Sequence, residues 1–458
     1  MQTPLRPTGA GQRVAYGQRI TSAFRASSTG FFLATEMHAV VGINWGDEGK
    51  GRMIDYLAQQ ADMVIRYQGG NNAGHTVIND LGEFKLRLVP SGIFSPRTVN
   101  IVGPGAVVDL ERLNEEIDEL NVAGIDTSRL FVSDRVTVCF PFHRDQDSWE
   151  EDRLAEHSFG STRRGIAPVY GDRYLKKVIQ IGEVFDADHL AARLKPIVEW
   201  KNLSNRGLYP GVPEISLDAM VQWAVEHGRR LRDRVCDISE LTATAAEADQ
   251  HVIFEAQLGA LRDVYYGIFP FTTSSSTLAG YAPVGGGLPG RALTRVTGVV
   301  KAFSTCVGEG PFVTEEHGAW SDTLRTAAGE FGVNTGRPRR IGHFDAVASR
   351  YGATVQGATE LALTKLDCLS GLPELKICVG YRVDGEVLDR FPMTHLVERA
   401  TPVYESLPGW DADLRDVREF AQLPPAAAAY VRRIEELLGA RLRYVSVGPE
   451  RHQLIDLG

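Results

Sequence analysis

The fold of this chain is decided by residues 38–57, which read HAVVGINWGDEGKGRMIDYL. Residues 39–43 form an apolar run that predicts a buried strand, and residues 53–57 are typical of a helix. Between them lies a glycine-rich loop whose backbone N–H groups can wrap a phosphate at the helix N-terminus, with Lys50 adding a positive charge. The stretch therefore predicts an α/β protein with a phosphate site, although the P-loop spacing G-x-x-x-x-G-K-[ST] is not met.

Similar strand-like runs recur along the chain. Several are apolar on both faces, which is typical of strands covered by helices in a largely parallel sheet. We predict an α/β fold with one large domain over residues 37–458, built on a mainly parallel, P-loop-NTPase-like central sheet with long functional insertions. The further strands are predicted at 63–67, 100–103, 252–254, 361–364 and 376–380, and two of the helices at 110–121 and 426–438.

The composition narrows the class of protein. The chain has 49 basic and 58 acidic residues and a formal charge of -9, which argues against a general nucleic-acid binder. Its five cysteines form no C-x-x-C pair, which fits reduced thiols and argues against disulfides and a zinc site. The reduced thiols lead us to expect a cytoplasmic protein. No apolar run approaches the roughly 20 residues that span a bilayer, so we predict no transmembrane helix and no membrane partner.

Residues 1–36 differ from the rest of the chain, since they contain no acidic residue before Glu36 and are rich in Arg, Ser, Thr and Gly. A transit peptide has this composition. A disordered leader, or an upstream start codon with Met37 as the functional start, fits as well. We prefer these two interpretations because the first predicted strand begins directly after Met37.

A second glycine-rich loop, residues 67–77, reads YQGGNNAGHTV. Its glycines let the backbone approach a ligand closely. The first loop contains Asp47, and a carboxylate beside phosphate-binding amides is unfavourable unless a metal or a proton transfer requires it. The two loops together thus indicate a nucleotide site that carries out chemistry.

The two loops resemble those of the adenylosuccinate synthetase family, and the resemblance extends over about residues 38–455. It implies a C–N ligase that uses GTP and Mg²⁺ to join L-aspartate to C6 of inosine 5′-monophosphate (IMP), giving adenylosuccinate, GDP and phosphate in purine (AMP) biosynthesis. Supporting segments follow in the family's order: STRRGIAP at 161–168, TSS at 273–275, KAFST at 301–305, GVNTGR at 332–337, TKLD at 364–367 and SVGP at 446–449.

The resemblance also implies a mechanism. The purine N1 is deprotonated, the γ-phosphoryl group of GTP moves to O6, and the aspartate amine then displaces phosphate at C6. Asp47 is the implied general base and a Mg²⁺ ligand, and the Gly74 carbonyl is the second protein ligand of the metal. His75 is the implied donor that stabilises charge on the transferring phosphoryl group.

The TKLD segment is expected to select guanine. The Asp367 carboxylate can accept hydrogen bonds from guanine N1–H and the 2-amino group together, whereas adenine offers no such donor pair. The Lys365 stem can lie along the ring face. By resemblance, the GTP-binding residues are Gly46, Glu48, Gly49, Lys50, Gly51, Arg52, Gly74, Thr76, Arg339, Lys365, Leu366, Asp367, Ser446, Val447 and Gly448.

The same resemblance assigns the other two substrates. Lys176 stands where the family usually has an Arg that reaches the nucleotide 5′-phosphate from the partner subunit, which implies a homodimer with a shared active site. The expected purine-nucleotide contacts are Asn72, Thr162, Lys176, Gln257, Leu258, Thr273 and Arg337, and the expected aspartate contacts are Val333, Asn334, Thr335, Gly336, Arg337 and Arg339.

Three departures from the family pattern bear on the substrate. Residues 255–259 read EAQLG in place of EGAQG, so Leu258 stands where a Gln is expected near the purine 6-oxygen and Gln257 lies one place earlier. Cys306 replaces an expected Arg, and the aspartate loop contains Asn334 and Pro338.

Two alternatives to IMP ligation follow from these departures. One is a paralogue that acts on a modified or analogue purine nucleotide in a specialised nucleoside pathway. The other is a non-catalytic GTP-binding regulatory protein. That last alternative predicts the loss of Asp47 or His75, and both residues are present.

Overall fold

A computed structural model describes residues 36–240, 250–332, 336 and 338–458. Its strands, in chain order, are β1 Glu36–Gly42, β2 Met63–Arg66, β3 His75–Asn79, β4 Gly82–Leu86, β5 Val99–Val102, β6 Val107–Val108, β7 Leu130–Ser133, β8 Thr137–Val138, β9 Val235–Cys236, β10 His251–Gly259, β11 Arg295–Lys301, β12 Ser304–Cys306, β13 Arg340–Gly342, β14 Phe344–Asp345, β15 Glu360–Thr364, β16 Leu372–Val383, β17 Glu386–Leu388, β18 Thr401–Trp410, β19 Leu442–Ser446 and β20 Leu454–Asp456.

Helices cover the sheet and fill the connections. They are α1 Lys50–Leu57, α2 Leu110–Val122, α3 Pro141–Leu154, α4 Ile166–Tyr174, α5 Ala187–Leu208, α6 Leu217–Leu231, α7 Ala282–Gly285, α8 Ala319–Ala328, α9 Ala346–Gln356, α10 Thr394–Val397 and α11 Pro425–Leu438. Within the described ranges, none of them combines the length and the apolar character that crossing a membrane requires.

The central sheet has ten strands in the order β20-β19-β15-β11-β1-β10-β2-β5-β7-β9. All neighbours pair in parallel except β19 and β20, which are antiparallel. This arrangement confirms the predicted α/β fold with a mainly parallel sheet. It also places β1, which leads into the first glycine loop, in the middle of the sheet.

The apolar run of β1 is buried on both sides. Ala39 and Val41 pack in one hydrophobic cluster with Met63 and Ile65 of β2, whereas the intervening Val40 packs in another cluster with α1. Successive strand residues face opposite layers, so a strand between two helical layers must be apolar at every position. This is why continuous rather than alternating apolar runs correctly predicted the strands of this sheet.

The predicted run at 376–380 is also a strand, but it lies outside the central sheet. It belongs to β16, which pairs antiparallel with β17 and β18 and parallel with β14 in a second sheet. Strands β16 to β18 lie in the long connection between β15 and β19 of the central sheet, and β14 lies in the connection between β11 and β15. Helices α3 to α6 likewise fill the connection between β7 and β9. The predicted long insertions are therefore present.

The predicted division into a leader over residues 1–36 and a domain over residues 37–458 stays a prediction. Strand β1 already begins at Glu36, and residues 1–35 of the predicted leader lie outside the described residues. Helix α1 begins at Lys50, earlier than predicted, because Gly49 adopts φ 94° and ends the loop there. The last residues of the glycine loop thus form the first turn of α1, whose N–H groups have no partner within the helix.

Candidate active site

A cavity of about 730 Å³ is lined by the loops that follow β1, β2 and β10. In parallel α/β sheets, ligands bind in the crevice at the carboxyl ends of the strands. The predicted site residues that line this cavity are Asp47, Lys50, Asn72, Gly74, His75, Thr162, Gln257, Leu258, Thr273 and Arg339.

The first glycine loop is held from inside by a carboxylate. Gly46 and Asp47 adopt φ 112° and 58°, and this sharp turn wraps the chain around the buried Glu48. The Glu48 carboxylate accepts hydrogen bonds from the backbone N–H of Asn44 (3.1 Å) and Gly46 (2.7 Å), and Lys50 donates to it at 2.7 Å. Glu48 thus supports the loop, and its contact with GTP stays a prediction.

Asp47 faces the cavity and pairs with a distant arginine. Its carboxylate lies 3.0 Å from Nε of Arg339, and its side chain is 27% exposed. Arg339 also donates to the buried Glu330 at 2.6 Å. Burial alone lowers the pKa of Arg339, but Asp47 and Glu330 outweigh that effect and raise it, so the guanidinium stays charged.

Glu330 is the centre of a buried charge cluster. Besides Arg339, it binds Lys301 at 2.8 and 2.9 Å and Lys365 at 2.9 Å. Burial opposes ionisation of Glu330, but the three cations hold its pKa below the usual range. Burial lowers the pKa of Lys301 to about 8. A single carboxylate therefore links the predicted guanine segment to the predicted base.

His75 is held by a second buried acid. Its Nδ1 lies 2.6 Å from Glu255, which also accepts from the backbone N–H and the hydroxyl of Ser91, both at 2.7 Å. Burial, followed by the charge of Arg66, lowers the pKa of His75, and the bond to Glu255 opposes that shift. Because the pKa of Glu255 is lowered despite burial, its carboxylate is ionised and fixes the orientation of the ring.

Gln257 ties the second glycine loop to β10. Its side-chain oxygen accepts from Arg66 (3.2 Å) and from the backbone N–H of Gly70 (2.9 Å), while its amide nitrogen donates to Asn72. These contacts fix the side chain of Asn72, a predicted nucleotide contact. Gln257 therefore acts as a support of the loop as well as a lining residue of the cavity.

Leu258 lies at the end of β10 in a left-handed turn with φ 61°. Its side chain lines the cavity and packs beside Gly46, where an added Cβ would come within 3.3 Å of the leucine Cδ2. An apolar side chain thus stands between the first glycine loop and the cavity.

The predicted guanine segments lie next to each other, beside this cavity rather than in its lining. The backbone N–H of Leu366 donates to the Ser446 carbonyl at 3.3 Å, which joins residues 365–367 to residues 446–448. The Thr364 hydroxyl donates to the Glu48 carbonyl at 2.6 Å, which ties this region to the first glycine loop. Arg52 donates to the Ser446 hydroxyl.

Comparison with known proteins decides the family. Residues 39–455 match the family described as adenylosuccinate synthetase. A relative from Pseudoalteromonas translucida, adenylosuccinate synthetase 2, is 47% identical over 91% of this chain and 98% of its own length. The adenylosuccinate synthetase of Heliobacterium modesticaldum is 44% identical over 92% of this chain and 98% of the relative.

The chain belongs to the adenylosuccinate synthetase family. It is a C–N ligase that joins aspartate to IMP at the expense of GTP in purine biosynthesis. A solved structure, the fully ligated adenylosuccinate synthetase of Plasmodium falciparum, superposes with a TM-score of 0.87 at 31% identity, covering 92% of this chain and 100% of that one. A cyanophage S-2L succinoaminodeoxyadenylate synthetase structure, at 20% identity and a TM-score of 0.57, shows the shared fold alone.

Not every residue expected from the synthetase pattern lines the cavity. Lys176 is exposed at the end of α4, with φ 61°, and the lining does not include it. Of the aspartate loop, Gly336 lies within the described residues, and its N–H donates to the Gly332 carbonyl at 2.7 Å. The other predicted residues of the aspartate loop, Val333, Asn334, Thr335 and Arg337, lie outside the described residues.

The structure adds supporting residues that the sequence argument missed. Glu255 and Glu330 have no predicted role, although Glu255 holds His75 and Glu330 holds Arg339, and both of these are predicted active-site side chains. Sequence spacing gives no signal for such a pairing, because His75 and Glu255 are 180 residues apart. Glu330 lies shortly before the aspartate loop, and this proximity is the one local signal that could have indicated it.

Proposed function

We propose that Asp47 is the base that removes the N1 proton of IMP. The observation that carries this role is its position: the carboxylate is partly exposed in the cavity and lies 3.0 Å from the charged Arg339. Arg339 holds the carboxylate in the cavity, and a general base must lie within hydrogen-bond reach of the proton that it removes. Deprotonated N1 pushes electron density toward O6, which then attacks the γ-phosphoryl group of GTP.

His75 donates to an oxygen of the transferring phosphoryl group. The Glu255 carboxylate accepts a hydrogen bond from Nδ1–H of His75, so Nε2 is left for the substrate. When His75 is doubly protonated, Nε2–H can donate to an oxygen on which negative charge accumulates. The buried pair thus orients the ring in advance, and the rigid bond to Glu255 reduces the reorganisation needed during transfer.

The residues of this cavity fit Mg²⁺. Asp47 offers a carboxylate oxygen and Gly74 a carbonyl, and both line the cavity. Mg²⁺ prefers oxygen ligands and is usually held by one or two protein groups, with phosphates and water completing its shell. When bound, the ion neutralises the negative charge of the phosphates during transfer.

GTP extends from the cavity to the segments 365–367 and 446–448. Asp367 is the guanine-selecting residue, and the adjacent Lys365 is fixed by Glu330 and by the Ala328 carbonyl. Because Glu330 also binds Arg339, the guanine segment and the general base are coupled through one buried carboxylate. Aspartate is bound by Arg339 and by residues 333–337.

The active protein is a homodimer in the cytoplasm. Large apolar side chains are exposed around Lys176, including Tyr174 (74%), Leu175 (54%) and Tyr265 (73%). A cluster of exposed apolar side chains marks a protein interface in a soluble protein. Lys176 then reaches the nucleotide 5′-phosphate of the partner subunit, and the five free cysteines fit a reducing compartment.

The proposed roles are tested with purified protein, GTP, Mg²⁺, aspartate and either IMP or a panel of analogue purine nucleotides. Release of GDP and phosphate with IMP, lost in an Asp47→Ala variant, is the expected result. A preference for an analogue over IMP favours the specialised paralogue instead. Substrate-dependent GDP release that survives in Asp47→Ala contradicts the role of Asp47.

The shared site is tested by mixing two inactive variants. Lys176→Ala subunits keep Asp47, and Asp47→Ala subunits keep Lys176, so a mixed dimer contains one complete site. We expect activity to return on mixing. Absence of recovery, with subunit exchange demonstrated by mass or by a fluorescent label, contradicts a site completed across the interface.

A further inference from the structure

Arg262 is a buried arginine that the mechanism does not use. It follows β10, is 6% exposed, and lines the cavity. One terminal nitrogen donates to the carbonyls of Phe271 and Glu309 (3.0 Å), and the other donates to the Val307 carbonyl and lies 3.0 Å from Sγ of Cys306. No acid neutralises it at hydrogen-bond distance within the described ranges, so backbone carbonyls take its donors.

These carbonyls belong to two loops that meet on one side of the cavity. We call residues 257–273 and 304–310 the nucleotide wall. The backbone carbonyl of Arg262 also accepts from the N–H of Thr273 at 2.9 Å, so this residue holds a predicted purine-nucleotide contact directly. A Cβ added at Gly160 would lie within 3.2 Å of Gly308, which shows that the segment before Thr162 packs on the same loop.

The neighbour of this guanidinium is one of the departures from the family pattern. Cys306 is buried at 1% exposure and stands where the family resemblance places an arginine. Its Sγ touches the guanidinium of Arg262. The structure assigns to Arg262 the role of that arginine. The guanidinium comes from the segment after β10 instead of from the end of β12, and it joins the two loops of the nucleotide wall.

This inference rests on the proposed function, because the wall it describes is the proposed IMP site. A guanidinium has five N–H donors and can therefore bind several backbone carbonyls at once. The carbonyls of the two loops can accept from such a group whether it is attached at position 262 or at position 306. Arg340 holds the other side of loop 307–310 through the Gly310 carbonyl (2.8 Å) and is itself paired with Glu315. The donors of Arg340 are therefore used by Glu315 and by loop 307–310, and the Phe271 carbonyl is bound by Arg262.

Arg262 is thus a positioning residue for IMP binding, and exchanging the two side chains tests it. In Arg262→Leu the two loops lose their common donor, and we expect KM for IMP to rise roughly 10- to 100-fold with kcat and KM for GTP changed by less than about threefold. Cys306→Arg alone should also be damaging, because two buried guanidinium groups then compete for one space. The double variant Arg262→Leu/Cys306→Arg should recover most of the IMP affinity lost in Arg262→Leu.

Arg234→Leu is the matched control. Arg234 also donates to backbone carbonyls, those of Thr127 and Leu130, but does not line the cavity, so its loss should lower stability without changing KM for IMP. A wild-type KM for IMP in Arg262→Leu overturns the positioning role. A double variant no better than Arg262→Leu overturns the exchange. Both outcomes leave the proposed function intact, since wild-type turnover and its dependence on Asp47 are measured separately.

Discussion

The phosphoryl-transfer side of the cavity, formed by residues 43–51 and 67–76, keeps every side chain that the family resemblance assigns to it. The nucleotide wall, by contrast, differs from the family pattern at Leu258 and Cys306. The two regions also differ in what fixes their side chains. On the phosphoryl-transfer side, the buried acid Glu255 holds His75, and the buried acid Glu330 holds Arg339, the partner of Asp47. In the wall, Arg262 is held by backbone carbonyls.

The difference explains which region tolerates change. Removing one partner of a buried charge pair leaves the other charge without compensation, which is costly, so both partners must persist. A backbone carbonyl is present whatever the side chain, so a guanidinium can be supplied from position 262 or from position 306. We infer that Cys306 is tolerated in the nucleotide wall because Arg262 supplies a guanidinium to the backbone carbonyls of this wall.

The largest effect is expected at the base. Asp47→Asn keeps the shape of the side chain but removes the basic oxygen, and turnover should fall by at least about 10³-fold. Arg339 retains Glu330 as a partner, so circular dichroism and thermal unfolding should stay close to wild type. Activity within about tenfold of wild type would contradict the role of Asp47 as the base. His75→Ala is a less direct test, because it removes a hydrogen-bond partner of the buried Glu255 and therefore also lowers the stability of the protein.

The next largest effect is expected in the nucleotide wall, where the adjacent residues Gln257 and Leu258 can be compared. Gln257→Ala removes the acceptor for Gly70 and the donor to Asn72, and kcat/KM for IMP should fall by about 10²- to 10³-fold. Leu258→Gln should be neutral or harmful with IMP. If Leu258→Gln instead improves the turnover of IMP while wild type turns IMP over poorly, the wall is adapted to an analogue purine, which contradicts IMP as the preferred nucleotide.

A smaller effect is expected at the guanine segment. Asp367→Asn mismatches the two hydrogen bonds to guanine, which should weaken use of GTP by about 2 to 4 kcal/mol in kcat/KM. Burial raises the pKa of Asp367, and Lys365 and Arg52 oppose that effect. Kinetics with GTP and ATP in both proteins measure the preference. Equal use of ATP and GTP by wild type contradicts the role of Asp367.

The smallest effect is a change in pH dependence. Glu255→Gln removes the carboxylate that opposes the lowering of the His75 pKa by burial and by Arg66, so that pKa should fall further. His75 must be protonated to donate through Nε2, and this form is lost as pH rises through its pKa. The basic limb of the pH–rate profile should therefore move to lower pH in Glu255→Gln. A basic limb that does not move, or that moves to higher pH, contradicts a role of the His75–Glu255 pair in catalysis.

The sequence predicts the parts of the site that are contiguous. Strand β1, the loop to Lys50 and the loop to His75 were identified because each is a continuous run with its own pattern. The link between Lys365 and Arg339 through Glu330 joins three separate segments, and no local period indicates it. Arg262 was missed for a different reason: its contacts are to carbonyls, which leave no trace in side-chain patterns.

We propose that GTP phosphorylates O6 of IMP and that this oxygen then leaves as phosphate when the aspartate amine attacks C6. Incubating the protein with IMP labelled with ¹⁸O at the 6-position, GTP, Mg²⁺ and aspartate tests it by mass spectrometry of the inorganic phosphate. We predict that each molecule of adenylosuccinate formed is matched by one molecule of phosphate carrying the label. Unlabelled phosphate, with the ¹⁸O appearing in water, would contradict the account.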